Sequence, residues 1–186
     1  MNTCKAAGFF TASVILLCLF IPGKGLSNMD EIQTVKSVDL QRYLGVWYEL
    51  AKIPNPFQKK CVKNTTAEYR LREDGMIDVI NTCVSKEGRP VEARGVARIT
   101  DAVSHAKLKV SFVRLAGIRL FWGDYWIIGL DADYRYAVVG EPSRKYGWIL
   151  SRSKTLSEED WMAIEEILAG QKYDFSLFVL TQQDEP

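Results

Sequence analysis

Few residues of this 186-residue chain can do chemistry, and their types set narrow limits. His105 is the only histidine, in the polar turn Asp101–Ala106. A metal or haem centre needs several His, Cys or carboxylate ligands, and one turn histidine does not supply them. It cannot complete a Ser-His-Asp relay either. No catalytic residue, metal or cofactor is therefore expected. Cys61 and Cys83 remain. As free thiols they are potential nucleophiles, and as a bridge they are inert. The formal net charge is +1, so no global field recruits nucleic acid. There is no Gly-rich phosphate loop, sustained heptad, internal repeat or low-complexity tract.

The elements that must position these residues read as short strands in one domain-sized chain. Val38–Leu44 forms a helical turn with Leu40, Tyr43 and Leu44 on one face. The first strand, Trp47–Ile53, ends at Pro54, which cannot donate to a ladder. Strands follow at Val62–Leu71, Met76–Val84, Val91–Thr100 and Lys107–Val113. In the last of these Leu108, Val110 and Phe112 alternate with Lys107, Lys109 and Ser111. Leu115–Trp122 reads as an apolar loop, and strands resume at Tyr125–Leu130, Tyr136–Gly140 and Tyr146–Arg152. Eight evenly spaced strands predict a barrel or a sandwich. The period then becomes helical. Ser157 with Asp160 starts a helix, Trp161, Ile164, Ile167 and Leu168 share its face, and Gly170 stands at its C′ position. Phe175–Leu180 is a last short strand, and the tail from 183 to 186 is expected to fray.

The first 27 residues are of another kind. Lys5 precedes the apolar run Ala6–Ile21, which Pro22-Gly23-Lys24-Gly25 breaks. The run is short for a span of roughly 20 residues, so it reads as a secretory signal rather than a retained anchor. Residues 28–37 are a polar lead. Export makes the compartment permissive for disulfides. Asn64-Thr65-Thr66 matches a glycosylation acceptor.

Three motifs carry a resemblance. Gly45-Val46-Trp47 opens the first strand, Asp131-Ala132-Asp133-Tyr134 follows the sixth, and Trp148-Ile149-Leu150-Ser151-Arg152 ends the eighth. In this order and spacing they resemble the lipocalin family over residues 38–182. The branch is the one that holds apolipoprotein D and the bacterial outer-membrane lipocalins. The second motif departs at Leu130, where the family has threonine. The resemblance implies an all-β fold: an eight-stranded antiparallel up-and-down barrel with one C-terminal helix outside. It implies that Gly45, Trp47, Asp131 and Arg152 are structural, with Arg152 stacked on Trp47 at the closed end. It implies a cup for a fatty acid, lysophospholipid or similar apolar molecule, and no catalysis. Matched segments of apolipoprotein D place Tyr69, Asn81, Phe112, Tyr125 and Trp148 on the cup wall. Alternation adds Leu108 and Val110, and the tyrosine hydroxyls with Asn81 would meet a head group.

Up-and-down topology puts Pro54–Lys60, Ser85–Pro90, Leu115–Trp122 and Glu141–Lys145 around the mouth. It also brings Cys61 and Cys83 to the mouth ends of adjacent strands, where a bridge is allowed. Such a loop contributes roughly 3 kcal/mol in the chain-entropy model. The bacterial branch carries a lipid anchor and can pair as a homodimer. Cys18 is the residue for an anchor here, although Leu17 stands where a small residue belongs. The expected location is the periplasmic side of the cell envelope. It is the outer membrane if Cys18 is lipidated, and otherwise the protein is free in the periplasm or secreted. Two other functions compete with lipid carriage. One is a lipid-modifying enzyme that uses a cavity cysteine. The other is an interaction module that uses the mouth loops, with Leu115–Trp122 against a membrane or a partner.

Overall fold

The structure, a computed structural model, describes residues 31–184. The expected signal at 1–27 and Cys18 lie outside the described residues. In chain order the strands are β1 (Gly45–Lys52), β2 (Cys61–Leu71), β3 (Ile77–Ser85), β4 (Pro90–Ile99), β5 (Lys107–Ser111), β6 (Val113–Leu115), β7 (Ile118–Leu120), β8 (Gly123–Leu130), β9 (Tyr136–Gly140), β10 (Gly147–Ser151) and β11 (Val179–Leu180). Helix α1 (Leu40–Tyr43) precedes β1, and α2 (Glu158–Gly170) follows β10. Eight strands make the antiparallel ring β1-β2-β3-β4-β5-β8-β9-β10, and β10 returns to β1. Closure leaves no edge open in the ring.

A bulge in β1 decides which side of the wall its residues serve. Glu49 pairs with Leu150 but Ala51 pairs with Ile149, so Leu50 is an extra residue. Before the bulge, Trp47 faces the barrel interior with Ala67, Val79, Ile127 and Leu150. After it, Ala51 and Ile53 face outward, where Ile128, Val138 and Ile149 meet Ile164 and Leu168 of α2. One chain segment thus supplies both cores.

The closed end is plugged by side chains. Gly45 takes φ +89°, which turns the chain from α1 into β1. The Arg152 guanidinium lies 3.8 Å from the Trp47 ring centroid. It donates to the carbonyls of Arg42 (2.6 Å), Leu44 (2.9 Å) and Val46 (2.6 Å). Trp47 is fully buried, and its indole N–H donates to Tyr43 O at 2.8 Å. Nearby, Asp131 accepts from Asp133 N and from the Arg135 backbone and guanidinium. Tyr134, at φ +62°, accepts from Asp39 N at 2.8 Å and lies under Arg42.

Four local expectations are corrected. Leu115–Trp122 is not a loop: β6 and β7 pair there as a hairpin, with Ala116 (φ 47°) and Gly117 (φ 85°) at its turn. Two consecutive positive φ values are what a two-residue hairpin turn needs. Gly170 is the last helical residue of α2 rather than its C′ residue. Lys172 takes the left-handed turn at φ 59°, with Tyr173 N donating to Leu168 O and Lys172 N to Ala169 O. The Asp160 carboxylate does not reach back to cap α2 but accepts from Arg135 at 2.8 Å, and Ser157 alone caps the helix. Asp184 is pinned rather than frayed: it bonds Asn64 through its N–H and its carboxylate, and pairs with Lys63 at 2.8 Å. The same contacts engage the Asn64 amide of the glycosylation triplet.

Lysine cannot reproduce the stacked, three-carbonyl fork of Arg152. Arg152→Lys should lower stability by about 2–4 kcal/mol, read as a lower urea midpoint. An unchanged midpoint would mean that the plug does not hold the closed end.

Candidate ligand-binding site

The barrel interior opens at the end opposite Arg152 into one cup of about 680 Å³. That lies within the roughly 300–1,000 Å³ usual for small-molecule pockets. Tyr69, Asn81, Val110, Phe112, Tyr125 and Trp148 line it. Leu108 does not. It sits lower, beside a residual void of about 10 Å³ shared with Leu40, Tyr43 and Ile77. Its inward alternation is right, but its depth puts it below the floor.

Tyrosines make that floor. Tyr125 OH bonds Tyr43 OH at 2.8 Å and Tyr69 OH at 2.8 Å. The Tyr43 ring also stands 5.0 Å from Trp47 and 5.6 Å from Tyr69. The hydroxyls expected to meet a head group therefore satisfy one another. Burial pushes the Tyr69 phenol up to about 12, and burial with the neighbouring phenols holds Tyr43 and Tyr125 well above the usual 10. The floor is neutral and water-poor.

One wall is polar. Glu49, inward by alternation from Trp47, is 3% exposed and lines the cup. Its carboxylate accepts from Lys52 Nζ (2.8 Å), Gln58 Nε2 (2.6 Å) and Thr181 Oγ1 (2.7 Å). Gln58 Oε1 in turn accepts from Trp148 Nε1 at 3.0 Å and Asn55 Nδ2 at 2.8 Å. A buried charge is tolerated only when satisfied in this way. On the neighbouring strands β2 and β3, Thr65 Oγ1 and Asn81 Oδ1 are buried without a partner among the described residues. Glu49, Gln58 and Thr65 were missed in the sequence. A carboxylate inside a strand gives no signal of its own, because the groups that satisfy it come from the mouth connection and the C-terminal segment.

At the mouth, Cys61 and Cys83 are bridged, with Cα atoms 5.5 Å apart. Phe57 stands 5.5 Å from Tyr146, and Tyr146 stacks 6.3 Å from Trp148. The β6–β7 hairpin is tied at its base, where the fully buried Ser111 donates to Leu120 O at 2.5 Å and Val113 O at 3.2 Å. Trp122 lies under Arg98, whose guanidinium is 4.5 Å from the ring. Phe121 and Leu115 remain 80% and 66% exposed.

The tyrosine floor makes stability pH-dependent. A phenol held neutral by folding contributes stability that is complete below its unfolded value near 10. That contribution is lost as pH rises towards the folded value, about 12 for Tyr69. Stability should fall above pH 10 by up to about 1.4 kcal/mol per pH unit for each such phenol. Tyr69→Phe should flatten that slope in urea titrations run from neutral pH upward. Tyr125→Phe removes the shared partner and should lower stability at neutral pH by about 1–3 kcal/mol.

A lipocalin-like domain model matches residues 38–183. Temperature-induced lipocalin-1 of Arabidopsis thaliana is 35% identical over 162 residues, spanning 86% of this chain and 87% of that protein. The outer membrane lipoprotein Blc of Escherichia coli K12 is 39% identical over 153 residues, spanning 82% and 83%. Among solved structures, insecticyanin from the tobacco hornworm Manduca sexta aligns at a TM-score of 0.67 and 25% identity, covering 83% of this chain and 86% of its own. Proteins of this kind bind small hydrophobic ligands. Motifs, ring topology and matched length agree, and the chain belongs to the lipocalin family.

Proposed function

We propose that the protein is a non-catalytic carrier that holds one amphiphilic lipid, a fatty acid or lysophospholipid, tail-first in the cup. The observation that carries this reading is the cup's polarity. Its floor is neutral, and its deep wall holds the carboxylate of Glu49. Among the described residues that line it, Lys60 at the mouth is the only base. An acyl tail suits the interior, whereas an anionic head would be repelled at depth and is accommodated at the rim.

The Cys61–Cys83 bridge supports carriage over catalysis, because a bridged sulfur is no nucleophile. It also supports export. The name of the Escherichia coli relative places that protein in the outer membrane. For this chain, we assign the envelope form to lipidation at Cys18 and the free form to cleavage without modification. Maintenance of membrane lipid is the role that fits both.

Native mass spectrometry should find one lipid per chain, and a fluorescent fatty acid should titrate the cup to one equivalent. Ala67 lines the cup with open space before it. Ala67→Trp should fill that space and weaken the fatty acid about tenfold or more, the effect of roughly 1.4 kcal/mol. If neither method finds stoichiometric ligand, the carrier reading fails.

A further inference from the structure

We propose that the mouth of the barrel docks on the surface of an anionic phospholipid bilayer. The observation is a segregation of charge and apolar surface that the net charge hides. Four connections rim the mouth. Lys59 and Lys60 lie on β1–β2, Lys86 and Arg89 on β3–β4, Arg114 and Arg119 on the β6–β7 hairpin, and Arg144 and Lys145 on β9–β10. Against these eight bases stand two acids, Glu87 and Glu141, so the rim carries +6 in a chain of formal net charge +1.

Only one acid, the exposed Glu87, offsets the bases from outside, beside Lys86 and Lys60. The Glu141 carboxylate turns into its own turn and accepts from Ser143, Lys145 N and Tyr146 N. Glu87 accepts from Ser85. Among the described residues, Lys59, Lys60, Lys86, Arg89, Arg114, Arg119 and Lys145 form no ion pair. The closed-end connections are close to neutral: Asp39, Glu73, Asp74, Asp101, Asp131 and Asp133 stand against Arg42, Arg72, Arg135, Arg152 and Lys154. The molecule has a basic pole at its mouth.

Apolar groups project from the same pole. Phe57 is 74%, Leu115 66%, Ile118 64% and Phe121 80% exposed. Phe121 also holds φ 55°, an unfavourable backbone for a bulky residue. Soluble proteins seldom display such a cluster without a partner. A second copy docked mouth to mouth would set +6 against +6. A lipid surface satisfies both features at once: its phosphates face the bases, and its acyl boundary accepts the four apolar tips. Docking of this kind goes beyond lipid carriage and needs no occupied cup. It also sets the cup's opening against the source of any cargo.

The test is flotation of the full chain with vesicles of phosphatidylcholine alone and of phosphatidylcholine with phosphatidylglycerol. The N-terminal segment is common to every variant, so differences between variants belong to the mouth. The chain should bind the anionic vesicles at least about tenfold more tightly, and high salt should remove that preference. Arg114→Glu with Arg119→Glu should weaken anionic binding about tenfold or more. Arg70→Glu with Arg94→Glu, the same change of charge on the barrel wall, should not. Leu115→Ser with Ile118→Ser should weaken binding without changing its salt dependence. Equal binding to both vesicles, or equal loss for rim and wall variants, would overturn the proposal. Loss of a concentration-dependent dimer in place of loss of flotation would overturn it in favour of a second copy. Thermal melts of the rim variants should match the parent. Flotation that persists in a chain taking no fatty acid would uphold docking and sink the carrier reading alone.

Discussion

The stacking of Arg152 on Trp47 is the contact on which the rest of the barrel depends. It joins the end of the last barrel strand to the entry of the first, where β10 and β1 must meet to close the ring. Closure by backbone pairing alone would leave the carbonyls that leave α1 without donors. Arg152 satisfies those of Arg42, Leu44 and Val46 with one rigid fork. The same stack buries Trp47, and Trp47 supports Tyr43. Through Tyr43 the plug reaches the hydrogen-bonded tyrosines that floor the cup. Cup depth therefore follows from a contact at the far end of the molecule.

The bulge at Leu50 is the second constraint. Without it, Ala51 would follow Trp47 and Glu49 into the cup, and α2 would lose part of its seat. With it, one strand serves two cores, and the Glu49 carboxylate before it stays inside. That carboxylate is held by groups from three separate places: Lys52 of β1, Gln58 of the mouth connection and Thr181 beyond β11. Removing any one donor would leave a buried charge under-satisfied, which is far more costly than the net gain of a single bond. The network thus joins the C-terminal segment and the Pro54–Lys60 connection to the wall of the cup.

Much of this was legible in the sequence because the information was periodic or local. Eight evenly spaced strands, the helical face of Ile164 and Leu168, and the spacing of Trp47 and Arg152 each follow from side-chain type and position. The features that were not legible depend on geometry that periodicity does not encode. The hairpin at Val113–Leu120 hides in a run of uniformly large residues, and its turn residue Ala116 gives no glycine signal at that position. Lys172 adopts the left-handed cap that Gly170 advertised. Asp160 is one methylene shorter than the glutamate of a capping box, and it meets Arg135 from the β8–β9 turn instead. Leu108 points inward as read, but no pattern tells depth along a barrel. The outward turn of Ala51 needed the bulge, which no periodicity encodes.

The distribution of charge was not legible for a physical reason of the same kind. A net value of +1 describes the molecule from far away. At physiological ionic strength the Debye length is about 8 Å. Barrel strands of 8 to 11 residues, such as β1 and β2, separate the two ends by roughly 26–36 Å at about 3.3 Å per residue. Acids at the closed end therefore do not screen bases at the mouth, and each end acts on its surroundings alone. The up-and-down topology performs the segregation. Consecutive turns alternate between the two ends, so bases gathered in every second turn accumulate at one rim. The quantity that bears on encounter with a surface is the charge of alternate turns, and it emerges only once the topology assigns each turn to its end.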